Sequence, residues 1–235
     1  MTIKLKILVL SLFQKLFLKI FTNYFNIYLS STNSLEFNNH VRINGNSCLE
    51  PINIIQYKIE WANKYNEPLL IALQDMSKAY DRINILLLCL AMHSIDIPLS
   101  LISIITNCFI NCFNSVIINN SFSHLYPLSC GIDQGEMISP LLFLIYYNPL
   151  FKRINSIESL THQIHVSILH NIYDTTLRDY SSSLPLVGYL DDITWTALNV
   201  PALESLLSIA DDFYFFAEMK VNYLKFKILT NIKDI

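Results

Sequence analysis

Charge is scarce in this chain, and neither sign dominates. Of 235 residues only 15% are charged, with 16 Lys and Arg set against 19 Asp and Glu. A formal net charge of -3 and a sequence pI near 6.0 leave no basic footprint of the kind that nucleic-acid-binding domains usually carry. Recognition of a polyanion would have to rest on local groups. Cysteine is sparse and odd in number: Cys48, Cys89, Cys108, Cys112 and Cys130. Such a set among apolar neighbours reads as reduced core residues, not as a disulfide framework. Cys108 and Cys112 lie one helical turn apart, but no second pair completes the four ligands that structural zinc demands. Internal repeats, low-complexity linkers and long charge runs are also missing.

A long uninterrupted apolar run is absent too. The opening stretch ILVLSLFQKLFLKIF is broken by Gln14, Lys15 and Lys19 well before the roughly twenty residues a membrane span requires. No small-residue cleavage site follows it. Leu12, Phe13, Leu16, Phe17 and Ile20 recur at helical spacing with lysines between them, which predicts an amphipathic helix laying those residues on a domain. No membrane partner is expected.

What the chain does have is material for a core, being 52% hydrophobic and 12% aromatic. Its length fits one large domain or two small ones. Residues 31–52, rich in Asn and Ser, read as loop or turn. Asn53 is the expected N-cap of a helix from Ile54 to about Tyr65. LLIALQD, residues 69–75, is an apolar run of strand length ending in an acid, as suits a strand buried on both faces. Asp81 is the expected cap of the helix carrying INILLLCLAMH, and another helix starts near Pro98. SVII and SHLYPLSCGI flank a turn and read as a hairpin, and Ser139-Pro140 opens an apolar helix. Residues 152–183, with His162, His165 and His170, carry no clear pattern, and those histidines read as solvated loop residues rather than a metal cluster. PLVGYLDDITWTAL gives two strand-like runs meeting at two aspartates, followed by a helix over 200–219 and a closing strand in VNYLKFKILT. This order predicts an α+β fold with helices on one face of an antiparallel sheet.

The chemistry should lie with the acids. Asp75, at the end of a buried strand, is costly unless paired, hydrogen-bonded or bound to metal. Asp191 and Asp192, adjacent at a hairpin tip, repel each other and persist together most easily around divalent cations. Two ions about 3.5–4 Å apart on such acids would clamp an attacking hydroxyl and a leaving pyrophosphate, and hard oxygen ligands favour magnesium. Taken singly, each acid also reads as an ordinary turn or cap residue.

The neighbours of these acids make the pattern specific. QDMSKAYDRI (74–83) resembles the first palm motif of reverse transcriptases, and GIDQGEMISPLLF (131–143) the second. GYLDDITW (188–195) resembles the Y-x-DD hairpin, and VNYLKFK (221–227) the N-x-x-K motif that follows it. NNHVRINGNSCLEPI is similar to the segment before the palm in non-LTR elements and mobile-intron relatives. The motifs stand in the family's order and cover roughly residues 12–230.

The resemblance implies a partial reverse transcriptase domain of a non-LTR retrotransposon. Residues 1–67 would be part of the fingers and 68–235 the palm, with thumb and endonuclease segments belonging to a longer element. It implies RNA-directed DNA synthesis from an RNA template and a DNA primer with deoxynucleoside triphosphates. Asp75, Asp191 and Asp192 would hold two Mg2+ ions, with Mn2+ as a substitute. Tyr80 would close on the sugar of the incoming nucleotide and reject a 2′-hydroxyl. Gln134 and Gly135 would line the nucleotide and template, and Lys225 would neutralise or protonate pyrophosphate. Two positions depart from the pattern: Leu190 stands where a small residue or Met is common, and Gly188 where Ala often stands. The alternative is a catalytically silent palm that at most binds nucleic acid. A nuclear location would follow only for an active element.

Overall fold

A computed structural model describes residues 12–40, 49–110, 113–118, 121–127, 130–157, 163–169 and 177–232. The elements run in the order helix α1 (Leu12–Thr32), strand β1 (Asn39–His40), helix α2 (Leu49–Tyr65) and strand β2 (Leu70–Asp75). Helices α3 (Ile85–His93) and α4 (Leu99–Asn107) come next, then the short strands β3 (Phe113–Asn114), β4 (Ile117–Ile118), β5 (Ser121–Phe122) and β6 (Tyr126–Pro127). Helix α5 (Ser139–Asn155) follows, then β7 (Gln163–Leu169), β8 (Leu177–Ser183), β9 (Leu186–Tyr189) and β10 (Asp192–Ala197). Helix α6 (Val200–Phe216) and strand β11 (Lys227–Thr230) complete the order. The chain divides into two compact units, residues 1–35 with 78–146, and residues 36–77 with 147–235.

The second unit is built on a five-stranded sheet in the order β1-β9-β10-β2-β11. All its pairings are antiparallel except β1 with β9. Alternation along β2 explains how both faces are covered. Ile71 and Leu73 point to one side and pack with Ile55 and Ala62 of α2. Gln74 points to the other side, where its Oε1 accepts hydrogen bonds from Trp195 Nε1 (2.9 Å) and from the Tyr214 hydroxyl of α6 (2.7 Å). Tyr147 of α5 meets Phe213 and Tyr214 on that same side, with ring centroids 5.7 and 6.3 Å apart. The α+β class is as expected, with two refinements: β1 joins in parallel, and α2 lies on the face opposite α5 and α6.

The first unit holds α1, α3, α4, two short ribbons (β3 with β6, β4 with β5) and the start of α5. Helix α1 forms as predicted but buries a different stripe. Leu18, Thr22, Phe25 and Leu29 face inward, whereas Leu16, Phe17 and Ile20 are exposed. The helix is apolar around much of its circumference, so spacing alone admits more than one inward face.

Several local expectations need correction. Helix α3 is capped by Asn84, whose side chain accepts from the amides of Leu86 and Leu87, and Asp81 lies instead in a 3-10 turn, Tyr80–Arg82. Helix α2 begins at Leu49, earlier than an Asn53 cap would allow. The closing strand is shorter than expected, because a turn over residues 223–225 delays it to Lys227. Cys89 and Cys108 are only half-buried and Cys130 is exposed, so none of the three described cysteines is a core residue. Cys48, Cys112, His162 and His170 lie outside the described residues. Among the described residues no helix is long and apolar enough to cross a membrane.

Candidate active site

Strands β9 and β10 join through a two-residue turn, Leu190-Asp191, closed by the pair Tyr189 and Asp192. Hairpin turns of this length need a positive φ, which glycine supplies most cheaply. Here Leu190 takes it, at 57°, a conformation that costs a side-chain-bearing residue roughly 1–2 kcal/mol. Such strain persists only where the surroundings enforce it. Gly188, one residue before Tyr189, answers to a different constraint. A β-carbon there would lie 2.5 Å from Cζ of Phe151, which is itself buried on α5. Glycine stands at this position because the ring fills the space.

Register then brings the acids together. Asp192 is the first residue of β10 and pairs directly with Asp75, the last residue of β2. Asp75 Oδ1 lies 3.1 Å from Lys225 Nζ, and its Oδ2 accepts from Asn222 Nδ2 at 3.0 Å. The Asn222 amide also donates to the Asp75 carbonyl at 2.8 Å, so the segment before β11 is pinned to the end of β2. The Asp192 carboxyl is held above its usual pKa. Desolvation is the main cause, the charges of Asp191 and Asp75 add to it, and Lys225 opposes it. These four charged groups therefore feel one another at a single end of the sheet.

The donor chemistry suits a hard divalent cation, being carboxylate oxygen without sulfur. Among the described residues, however, no three His, Cys, Asp or Glu side chains are gathered into a ready ligand set. Asp75 would have to exchange Lys225 and Asn222 for an ion. That exchange is cheap on the lysine side, because the Lys225 side chain is 64% exposed and pairs of this kind are worth about 0–1 kcal/mol.

The remaining expected site residues belong to the first unit. The Tyr80 ring is half-buried and packs on Phe143 with centroids 5.2 Å apart. Residues 131–132 run beside the turn that carries Tyr80, through bonds from the Gly131 amide to the Ile83 carbonyl and from the Ile132 amide to the Tyr80 carbonyl. Gln134 and Gly135 are exposed, and Gly135 has φ of 101° with open space around its Cα.

Two features of the second unit were not foreseen. Lys58 is buried on α2 at 2% exposure, where Nζ donates to the Leu184 carbonyl and to Thr196 Oγ1 (2.7 Å), and burial lowers its pKa to about 7. No sequence signal marks it, because its partners are a carbonyl and a hydroxyl distant in the chain. Asn38 is the other, buried in a network of amides.

A profile described as "Reverse transcriptase (RNA-dependent DNA polymerase)" matches residues 9–233, nearly the whole chain. The chain belongs to the reverse transcriptase family. Members of this polymerase family generally use divalent metal ions. Solved structures resemble the chain in fold. Apo telomerase from Candida tropicalis matches with a TM-score of 0.60 at 14% identity, over 92% of this chain and 37% of that one. A form truncated from the C-terminal domain gives 0.57 at 16%, over 80% and 36%. Telomerase from Candida albicans, in complex with a TWJ fragment of telomeric RNA, gives 0.56 at 14%, over 93% and 34%. The reverse transcriptase chain thus spans about a third of the length of these telomerases. No curated protein matches it.

Proposed function

We propose that the chain is the catalytic core of an RNA-directed DNA polymerase, derived from a non-LTR retrotransposon and working within a longer protein. The observation that carries this is the cross-strand pairing of Asp192 with Asp75 beside Asp191, inside a reverse transcriptase domain. Two Mg2+ ions, or Mn2+, would sit on Asp75, Asp191 and Asp192. When bound, such ions activate a 3′-hydroxyl and neutralise phosphate charge.

The chain's own groups have separate tasks. The β9–β10 turn presents Asp191 and Asp192 together, and β2 presents Asp75 opposite them. Lys225, released from Asp75, donates charge or a proton to pyrophosphate as it leaves. Tyr80 places its ring against the deoxyribose, where a 2′-hydroxyl would collide. Gln134 and the left-handed Gly135 line the nucleotide and template, glycine allowing close backbone approach. The RNA template, DNA primer and deoxynucleotides are the partners. The motif segment before the palm, NNHVRINGNSCLEPI, favours the non-LTR origin.

A second reading is a silent palm that at most binds nucleic acid. What favours it is that both Asp75 oxygens are engaged by Lys225 and Asn222. Primer extension on an RNA template with Mg2+ separates the two. The polymerase reading expects extension that Asp191→Asn and Asp192→Asn abolish. If the purified chain extends nothing and binds no divalent cation, the silent reading holds.

A further inference from the structure

The acidic hairpin is met at its outer edge by strand β1, whose described residues are Asn39 and His40. Strand β1 pairs with β9 at Asn39–Gly188 and His40–Tyr189. The Gly188 amide donates to the Asn38 carbonyl at 3.0 Å, and the Leu190 amide to the His40 carbonyl at 3.2 Å. Leu190 is the strained residue directly before Asp191, so its amide bond to β1 bears on where that carboxylate points.

A short edge strand holds its register weakly through backbone bonds alone. The fully buried side chain of Asn38 adds to them. Its Nδ2 donates to the Leu186 carbonyl at the start of β9 (2.8 Å) and to Asn155 Oδ1 (2.9 Å). Asn155 Nδ2 returns a bond to Asn38 Oδ1 (2.9 Å) and donates to Glu36 Oε2 (2.7 Å). The Glu36 amide in turn donates to Asn148 Oδ1 (2.8 Å), one further anchor on α5. A reciprocal amide pair between Asn38 and Asn155 therefore ties the edge strand to the helix behind the hairpin. Polar networks with every member satisfied fix one arrangement, because any shift leaves a buried group without its bond.

We infer that Asn38 is a positioning residue for the acidic hairpin. Through Asn155 it sets the register of β1, and β1 holds Leu190 in the left-handed conformation that aims Asp191. This rests on the reading of Asp191 and Asp192 as metal-holding groups. Outer partners of that kind change metal affinity or activity by about 10–100-fold when removed.

The test uses the full chain and the variants Asn38→Ala and Asn155→Ala, the second retaining the bond from Asn38 to the Leu186 carbonyl. Hydrogen exchange is followed at the Gly188 and Leu190 amides, Mn2+ binding by EPR titration, and primer extension at varied Mg2+ and deoxynucleotide. Asn38→Ala should speed exchange at those two amides about tenfold while β2 and β10 stay protected. It should weaken Mn2+ binding about tenfold and lower kcat to a similar degree, with KM for the deoxynucleotide unchanged within about twofold. Asn155→Ala should move each value the same way by less, and it decides the matter if Asn38→Ala does not fold. Unchanged exchange and unchanged Mn2+ binding overturn the inference, as does faster exchange with kcat and metal affinity intact. A wild-type chain that neither binds Mn2+ nor extends a primer overturns the functional reading instead, and with it the positioning role.

Discussion

Lys225 holds Asp75 in an ion pair of 3.1 Å, and the lysine is the more exposed partner. The pair joins the end of β2 to the turn before β11, two segments 150 residues apart in the chain. A pair with so exposed a lysine contributes little to folding, and in the proposed polymerase Lys225 would act on the departing pyrophosphate.

Lys225→Met should therefore change unfolding free energy by no more than about 1 kcal/mol. Nucleotide incorporation should fall by about 10²–10⁴, the usual contribution of a positioned proton donor, with Mn2+ binding retained. Chemical denaturation and single-turnover incorporation measure the two effects. Equal losses in stability and metal binding would show the lysine to be structural.

Gly188→Ala should be poorly tolerated although alanine is the smallest possible change. Its β-carbon meets the Phe151 ring edge, and overpacking of this kind costs about 1–3 kcal/mol. Phe151→Leu in the same chain should recover part of that loss. Thermal melting of the two single variants and the double variant gives the coupling directly.

Stability should rise with pH because of Lys58. The folded chain holds this lysine near a pKa of 7, against 10.5 when free, so the unfolded chain binds the extra proton between those values. Folding therefore gains about 4–5 kcal/mol as pH climbs from 7 to 10.5, and below pH 7 the penalty is constant. Lys58→Met should stabilise the fold at pH 7 and flatten that dependence, and Thr196 keeps its bond to the Leu184 carbonyl. Urea titrations followed by tryptophan fluorescence at several pH values check this.

Tyr80→Ala should admit ribonucleotides if the ring screens the sugar. Incorporation of a ribonucleotide relative to its deoxy counterpart should rise about 10–100-fold, within the range a steric contact supplies. An unchanged ratio would contradict that screening role.

The β9–β10 hairpin, strand β2 and their order were legible, because they depend on short-range alternation and on motif residues that sit next to each other. What was not legible depends on long-range partners. Asn38 and its neighbours look like loop composition until Asn155, 117 residues away, is seen to complete the amide pair. Lys58 looks like any surface lysine on a helix until Leu184 and Thr196 close over it. Asp81 and Asn84 are both good caps, and a 3-10 turn over residues 80–82 decided between them. The inward face of α1 was ambiguous because apolar residues line several of its sides.

Single-nucleotide extension on an RNA template tests the central claim most directly, comparing wild type with Asp75→Asn, Asp192→Asn and the double variant. Residues acting as one ion-holding unit predict that each single change lowers the rate by about 10³ or more and that the double change is scarcely worse. No extension by the wild type, or losses that multiply as for independent groups, would contradict the account.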